Sequence, residues 1–319
     1  ATVMVAIGTL ISATWILAAN SWMQTPAGFA INDVGQFVPL DWLQIIFNPS
    51  FPYRFAHMTT AAYLTTSFVV LAVGARYMIA GKFADEAKTM LRMGIGFAAI
   101  VAPLQLFIGD QHGLNTLKHQ PIKVAAMEAH WDGSKPADFH IFAWPDEKNG
   151  TNHFELSIPK GASLILTHHL NGLVPGLLSV PEKDRPPVKL VFFAFRIMLA
   201  IGFFMICSAL LGAFLWWRGT LFDHDWYLRV MAQTWWMGFV AVIAGWGLPQ
   251  QTAAPTSPQE QHGSARLLLP VLAIPLLTIV LTLSLPHFTF AGVAFTKQSA
   301  ALYGLACACV VALGLALAI

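Results

Sequence analysis

The chain has 319 residues, of which only 18 are Lys or Arg and 16 are Asp or Glu, 11% in all; hydrophobic types make up 56% and mean hydropathy is +0.61. A soluble domain carries about a quarter of its residues as charges, so an ordinary soluble enzyme and a disordered chain are excluded. A net charge of +2 leaves no basic footprint for nucleic acid, and three cysteines, all in apolar runs, make no disulfide framework. What remains is a polytopic membrane protein.

A helix crosses a bilayer with about 20 apolar residues. Seven stretches meet that need: 1–32, 55–75, 93–109, 190–217, 230–259, 267–296 and 298–319. Backbone groups in lipid must be satisfied internally, so all seven are read as helices. The expected fold is an all-α transmembrane bundle. Its expected divisions are 1–109 (three helices), 110–189 (one long external loop), 190–246 (two helices) and 247–319 (about two more). The first stretch has no polar leader and no small-residue cleavage site, and it reads as a cut inside a larger membrane protein.

Lys and Arg in short loops set the orientation. Arg76, Lys82, Lys88 and Arg92 follow the second span, and Arg218 and Arg229 follow the fourth. Residues 76–92 and 218–229 should therefore be cytoplasmic, and 110–189 should face outward. That outer segment holds 17 of the 34 charges and 7 of the 11 histidines. It is too long to be an idle connection. Trp131, Phe139, Phe142 and Trp144 predict that it packs as a small cap. All 11 tryptophans lie at or before Trp246, and the tail beyond is Leu-, Ala- and Val-rich.

Ionisable residues inside a membrane mark function. His57 and Arg196 qualify. Met198 follows Arg196, about nine residues and roughly 13 Å into its span. Histidine and methionine are an axial pair for a low-spin haem, and Arg196 would neutralise a propionate. A single histidine at a helix end is more often a packing residue, and one methionine among 11 is more often filler. In the outer segment, Lys123-Val-Ala-Ala-Met-Glu128-Ala-His130-Trp131 reads as a short amphipathic helix. Lys123 and Glu128 suit a quinol head group, as cation and proton acceptor, or form a plain solvated ion pair.

The run from Gly8 to Pro26, with Ala-Asn20-Ser-Trp22-Met-Gln24, resembles subunit I of cytochrome bd-type quinol oxidases. Arg54-Phe-Ala-His57, Gly109-Asp-Gln-His112-Gly113, Lys123 to Trp131, Phe195-Arg196-Ile-Met198 and Gly245-Trp246 extend the resemblance through about residue 246. The short outer segment, with Gly113-Leu-Asn-Thr-Leu117, is similar to the cyanide-insensitive subgroup. The resemblance implies a multi-pass subunit of the bacterial plasma membrane, paired with a subunit II, that oxidises quinol externally and reduces oxygen. It implies His57 and Met198 as ligands of a low-spin haem b, Arg196 beside it, and Lys123 and Glu128 as the quinol pair. Complete members also carry a high-spin haem b and haem d. Their N-terminal helices and Gly-Arg-Gln-Pro-Trp motif have no match here, and Gln250 stands where a haem-ligating glutamate is expected. The chain alone is therefore expected to be inactive toward oxygen. The other readings are a cytochrome b-like electron carrier and a scaffold without haem.

Overall fold

The computed structural model describes residues 2–33, 36–252, 288–290 and 293–295. It divides the chain into two compact units, Ala18–Ala253 and a second made of Ala1–Leu17 with Ala254–Ile319. Of the second unit the described parts are residues 2–17 of helix α1 (Thr2–Gln24) and an antiparallel pair, β5 (Phe288–Phe290) with β6 (Val293–Phe295).

In the first unit the end of α1 leads through a strand pair, β1 (Phe29–Ile31) with β2 (Phe37–Pro39), and a short α2 (Trp42–Ile46). Asp41 caps α2 by accepting from the Leu43 and Gln44 amides. Then come α3 (Phe51–Ile79) and α4 (Ala84–His119), joined by a tight turn in which Gly81 and Phe83 both take positive φ. Gly94 sits where α4 crosses α3, and a Cβ there would lie 2.7 Å from Leu71 Cγ. Small residues at this crossing let the two backbones approach, as membrane helices require.

Among the described residues, five helical stretches are long and apolar enough to cross a membrane: Val3–Gln24, Phe51–Ile79, Ala84–His119, Glu182–Trp217 and Asp225–Gly245. They match the first five spans read from the sequence. The sixth and seventh, 267–296 and 298–319, lie outside the described residues. Two boundaries differ from the charge pattern. Helix α4 runs on to His119, ten residues past its charge-free stretch, because residues 110–118 hold no proline and a single glycine, Gly113, and Pro121 starts the next helix. Its 36 residues span about 54 Å, well beyond the hydrocarbon core. The fifth span is broken into α8 (Asp225–Met231), a 3-10 turn at Thr234–Trp236 and α9 (Met237–Thr252). At the break Gly238 lies against Thr65, where a Cβ would be 2.8 Å from Thr65 Cα.

The main apolar core fills one half of the bundle. Phe68, Leu71 and Ala75 of α3, Leu91, Ile95 and Ala98 of α4, Met205 and Ala209 of α7 (Val188–Trp217), and Tyr227, Leu228 and Met231 of α8 form it. Tyr227 seats its hydroxyl against Gly212 and donates to the Ser208 carbonyl at 3.0 Å. The segment 110–189 forms a packed cap, and it is not purely helical. It contains α5 (Pro121–Glu128), a hairpin of β3 (Phe139–Asp146) with β4 (Thr151–Ile158), and α6 (Gly161–Thr167). Trp131 is buried and donates to Asn152 Oδ1 at 2.8 Å, while the Phe142 and Trp144 rings meet Phe193 of α7. A second core of Ala125, Ala126, Trp131, Leu177, Val191 and Phe192 anchors the cap to the start of α7.

Candidate haem and quinol site

The half of the bundle nearer the cap has a different texture. From Phe55 to Ala62 every residue of α3 is half-buried, on all sides of the helix. His57 lies in this stretch. Its ring packs on Gly109 of α4, where a Cβ would come within 3.3 Å of His57 Cε1. Gln105, one turn earlier on α4, brings its amide nitrogen to 3.3 Å from His57 Nδ1 and 3.4 Å from Nε2, and donates to the His57 carbonyl at 3.1 Å. The Thr60 hydroxyl donates to the Gln105 amide oxygen and so fixes which way that amide points. The ring of His112 stands 5.5 Å from that of His57, tilted by 58°. This contact exists only because α4 stays helical past residue 109.

Arg54 is a turn before His57. It is buried, donates from Nη1 to Asn20 Oδ1 at 2.9 Å, and has its Nε buried without a partner among the described residues. Asn20 and Gln24 stand a turn apart at the end of α1. Gln24 accepts from Gln120 at 2.9 Å and from Lys123 Nζ at 3.4 Å. The α1, α3, α4 and α5 ends therefore meet in one polar cluster.

Lys123 and Glu128 lie on one short helix, as expected from the sequence, but neither is solvated and they are not each other's partners. Both are only 6% exposed. Glu128 Oε2 accepts from Arg196 Nη2 at 2.6 Å. The guanidinium is further enclosed by the rings of Phe139, Phe192 and Phe195, 4.6–5.3 Å away. Burial raises the Glu128 carboxyl above its usual range, against the pull of Arg196. The solvated ion pair considered above is thus replaced by a buried pair between cap and bundle, because residues five apart on a helix do not face each other whereas α5 packs directly on α7.

Burial, reinforced by the Arg54 charge, lowers Lys123 from 10.5 to about 7. Between those values the unfolded chain binds a proton there that the folded chain does not, so the contribution of Lys123 to stability should rise with pH from about 7 to 10 and be flat below. Thermal unfolding in detergent across that range, beside Lys123→Met, checks this. The expected slope approaches one proton in the parent and disappears in the variant.

Met198 of α7 rests on Gly245 of α9, where a Cβ would lie 2.9 Å from its sulfur. Helices α3 and α7 each pack on both α4 and α9, so the His57 and Met198 helices share two neighbours. Arg196 Nε and Nη1 are buried without hydrogen-bond partners among the described residues. The donor set fits a haem. An imidazole and a thioether each lie against a glycine, and an arginine keeps two buried N–H groups for an anion such as a propionate. The side chain of Gln250 lies outside those described.

Sequence reasoning passed over Gln105, Thr60 and the linkage of Gln24 to Lys123. It looked for ionisable groups, whereas a glutamine in the charge-free stretch 93–109 was itself the available signal, since buried amides need partners.

A family model described as cytochrome bd terminal oxidase subunit I matches residues 1–255. Cytochrome bd-II ubiquinol oxidase subunit 1 of Escherichia coli K12 is 34% identical over 203 residues, 62% of this chain and 39% of that protein. Cytochrome bd ubiquinol oxidase subunit 1 of Bacillus subtilis 168 is 32% identical over 254 residues, 76% of this chain and 54% of that protein. The chain thus spans about half the length of these relatives or less. The solved bd oxidase from Geobacillus thermodenitrificans superposes with a TM-score of 0.71 at 27% identity, over 87% of this chain and 67% of that one. With its bundle of membrane-length helices and this match over four-fifths of its length, the chain is a membrane protein and belongs to the cytochrome bd terminal oxidase subunit I family.

Proposed function

We propose that the chain is the quinol-oxidising part of a respiratory oxidase subunit I, taking electrons at the cap and delivering them to a low-spin haem b held by His57 and Met198. The observation that carries this reading is the buried Glu128–Arg196 pair. It joins the cap helix with the proposed quinol residues to the membrane helix with the proposed haem ligand, two residues from Met198. A haem bound there supplies a one-electron acceptor for each of the two electrons that quinol gives up.

The chain's own groups handle the head group. Lys123, with its value near 7, binds a quinol oxygen as a donor and holds or releases a proton at neutral pH. Glu128, raised by burial, accepts a proton at its carboxylate. Arg196 keeps that carboxylate aimed through Nη2 and offers its remaining N–H groups to a propionate. Gln105 orients the His57 ring, as groups around a metal-ligating histidine do. The same reading expects subunit II as partner, and high-spin haem b and haem d in the complete oxidase.

The test places Lys123→Ala and Glu128→Gln in a complete oxidase. Glutamine is chosen because it keeps a hydrogen-bond acceptor for Arg196. Quinol turnover should fall by about 10²-fold while haem per protein stays unchanged. Haem loss with normal quinol kinetics would show that the two roles are misassigned.

A further inference from the structure

The opposite end of the bundle carries a second cationic site that quinol and haem do not use. An open pocket of about 320 Å³ lies between the last turn of α3 and the α8 region, lined by Arg76, Ile79, Ala80, Arg229, Ala232 and Gln233. Arg76 Nε donates to the Ala232 carbonyl at 3.0 Å, which pins the guanidinium plane and leaves its two terminal nitrogens available. Arg229 arrives from a different element. Among the described residues no carboxylate lies within ion-pair distance of either arginine. Two guanidinium groups converging on one pocket without a counter-ion call for an anion, and a phosphate oxygen pair matches the arginine fork.

We propose that this pocket binds the phosphodiester of an anionic phospholipid. The surroundings favour a lipid over free phosphate. Ile79 and Val230 beside the arginines are exposed, and so are Trp226 and Trp236, one turn from Arg229 and Gln233. Exposed tryptophans and aliphatic side chains around a basic pocket suit the membrane–water boundary, where acyl chains lie on one side and head groups on the other. This is also the end that carries Lys82, Lys88, Arg92 and Arg218, the face expected to be cytoplasmic. Basic pockets between membrane helices on that face hold anionic head groups.

The test is native mass spectrometry of the full chain in dodecyl maltoside, titrated with phosphatidylglycerol, phosphatidylcholine or inorganic phosphate. Phosphatidylglycerol should be retained in preference to phosphatidylcholine, with an affinity that falls as salt rises. Arg76→Gln and Arg229→Gln should each weaken that retention roughly fivefold, the effect of one arginine near a charged bilayer surface. The Arg229 side chain makes no hydrogen bond among the described residues, so its variant removes charge without removing a structural contact. Equal retention of the two lipids, or unchanged affinity in Arg229→Gln, would overturn the proposal. Displacement of phosphatidylglycerol by equimolar inorganic phosphate would identify a free-phosphate site and overturn the lipid assignment.

Discussion

Met198→Leu in a complete oxidase should abolish the low-spin b signal while the protein stays folded. Leucine nearly conserves volume, and such exchanges cost less than about 1.5 kcal/mol. It keeps the packing against Gly245 but offers no lone pair to iron. Met198 is only half-buried and lies outside the main apolar core, so its loss removes little packing. His57→Leu should have the same spectral effect from the other side. Two milder variants refine the geometry. Gly245→Ala introduces a Cβ 2.9 Å from the Met198 sulfur and should weaken the low-spin signal without touching a ligand. Gln105→Leu frees the His57 ring and should shift the signal rather than remove it. The measurement is a reduced-minus-oxidised spectrum beside a thermal unfolding curve. A normal low-spin signal in Met198→Leu would remove Met198 from the ligand set.

Glu128→Ala should be the most destabilising single change in the cap. The pair with Arg196 is buried on both sides, at 9% and 10% side-chain exposure, so removing the carboxylate leaves an uncompensated guanidinium among three phenyl rings. Breaking a buried pair from one side costs about 3–5 kcal/mol, whereas replacing both partners with apolar groups of similar size is often neutral. The double variant Glu128→Leu/Arg196→Met should therefore be more stable than Glu128→Ala alone. Unfolding in detergent gives both numbers. Additive destabilisation in the double variant would show that the two side chains do not act as a pair. Restoring stability this way should not restore quinol turnover, because the proposed proton acceptor is gone.

Much of the architecture was legible in the residues because lipid imposes a strong rule. A helix must bury its own backbone groups, so long apolar stretches with few charges mark the five membrane-length helices among the described residues. The candidate site residues stood out for a related reason. An ionisable side chain such as His57 or Arg196 is costly in a membrane and stands out against 56% hydrophobic composition. The cap was harder. Its aromatic residues announced packing, but the β3–β4 hairpin did not show, since its strand faces are divided between α7 and solvent and carry no clean alternation.

The sequence by itself marked the candidate residues, His57, Met198, Arg196, Lys123 and Glu128, in short runs along the chain. Only the tertiary structure decided their partners. Glu128 belongs to Arg196, 68 positions away, and Lys123 belongs to Gln24, 99 positions away. Spacing along one helix could not disclose either contact, because each is made where two helix ends are brought together by the burial of apolar faces elsewhere. The continuation of α4 past Gly109 is the same kind of fact. Its polar residues have no helical stop among them, and the hydrogen bond from Asn115 to Ser50 and the ring contact of His112 with His57 hold them against α3. Charge patterning sees the end of the lipid there, whereas packing carries the helix on through it.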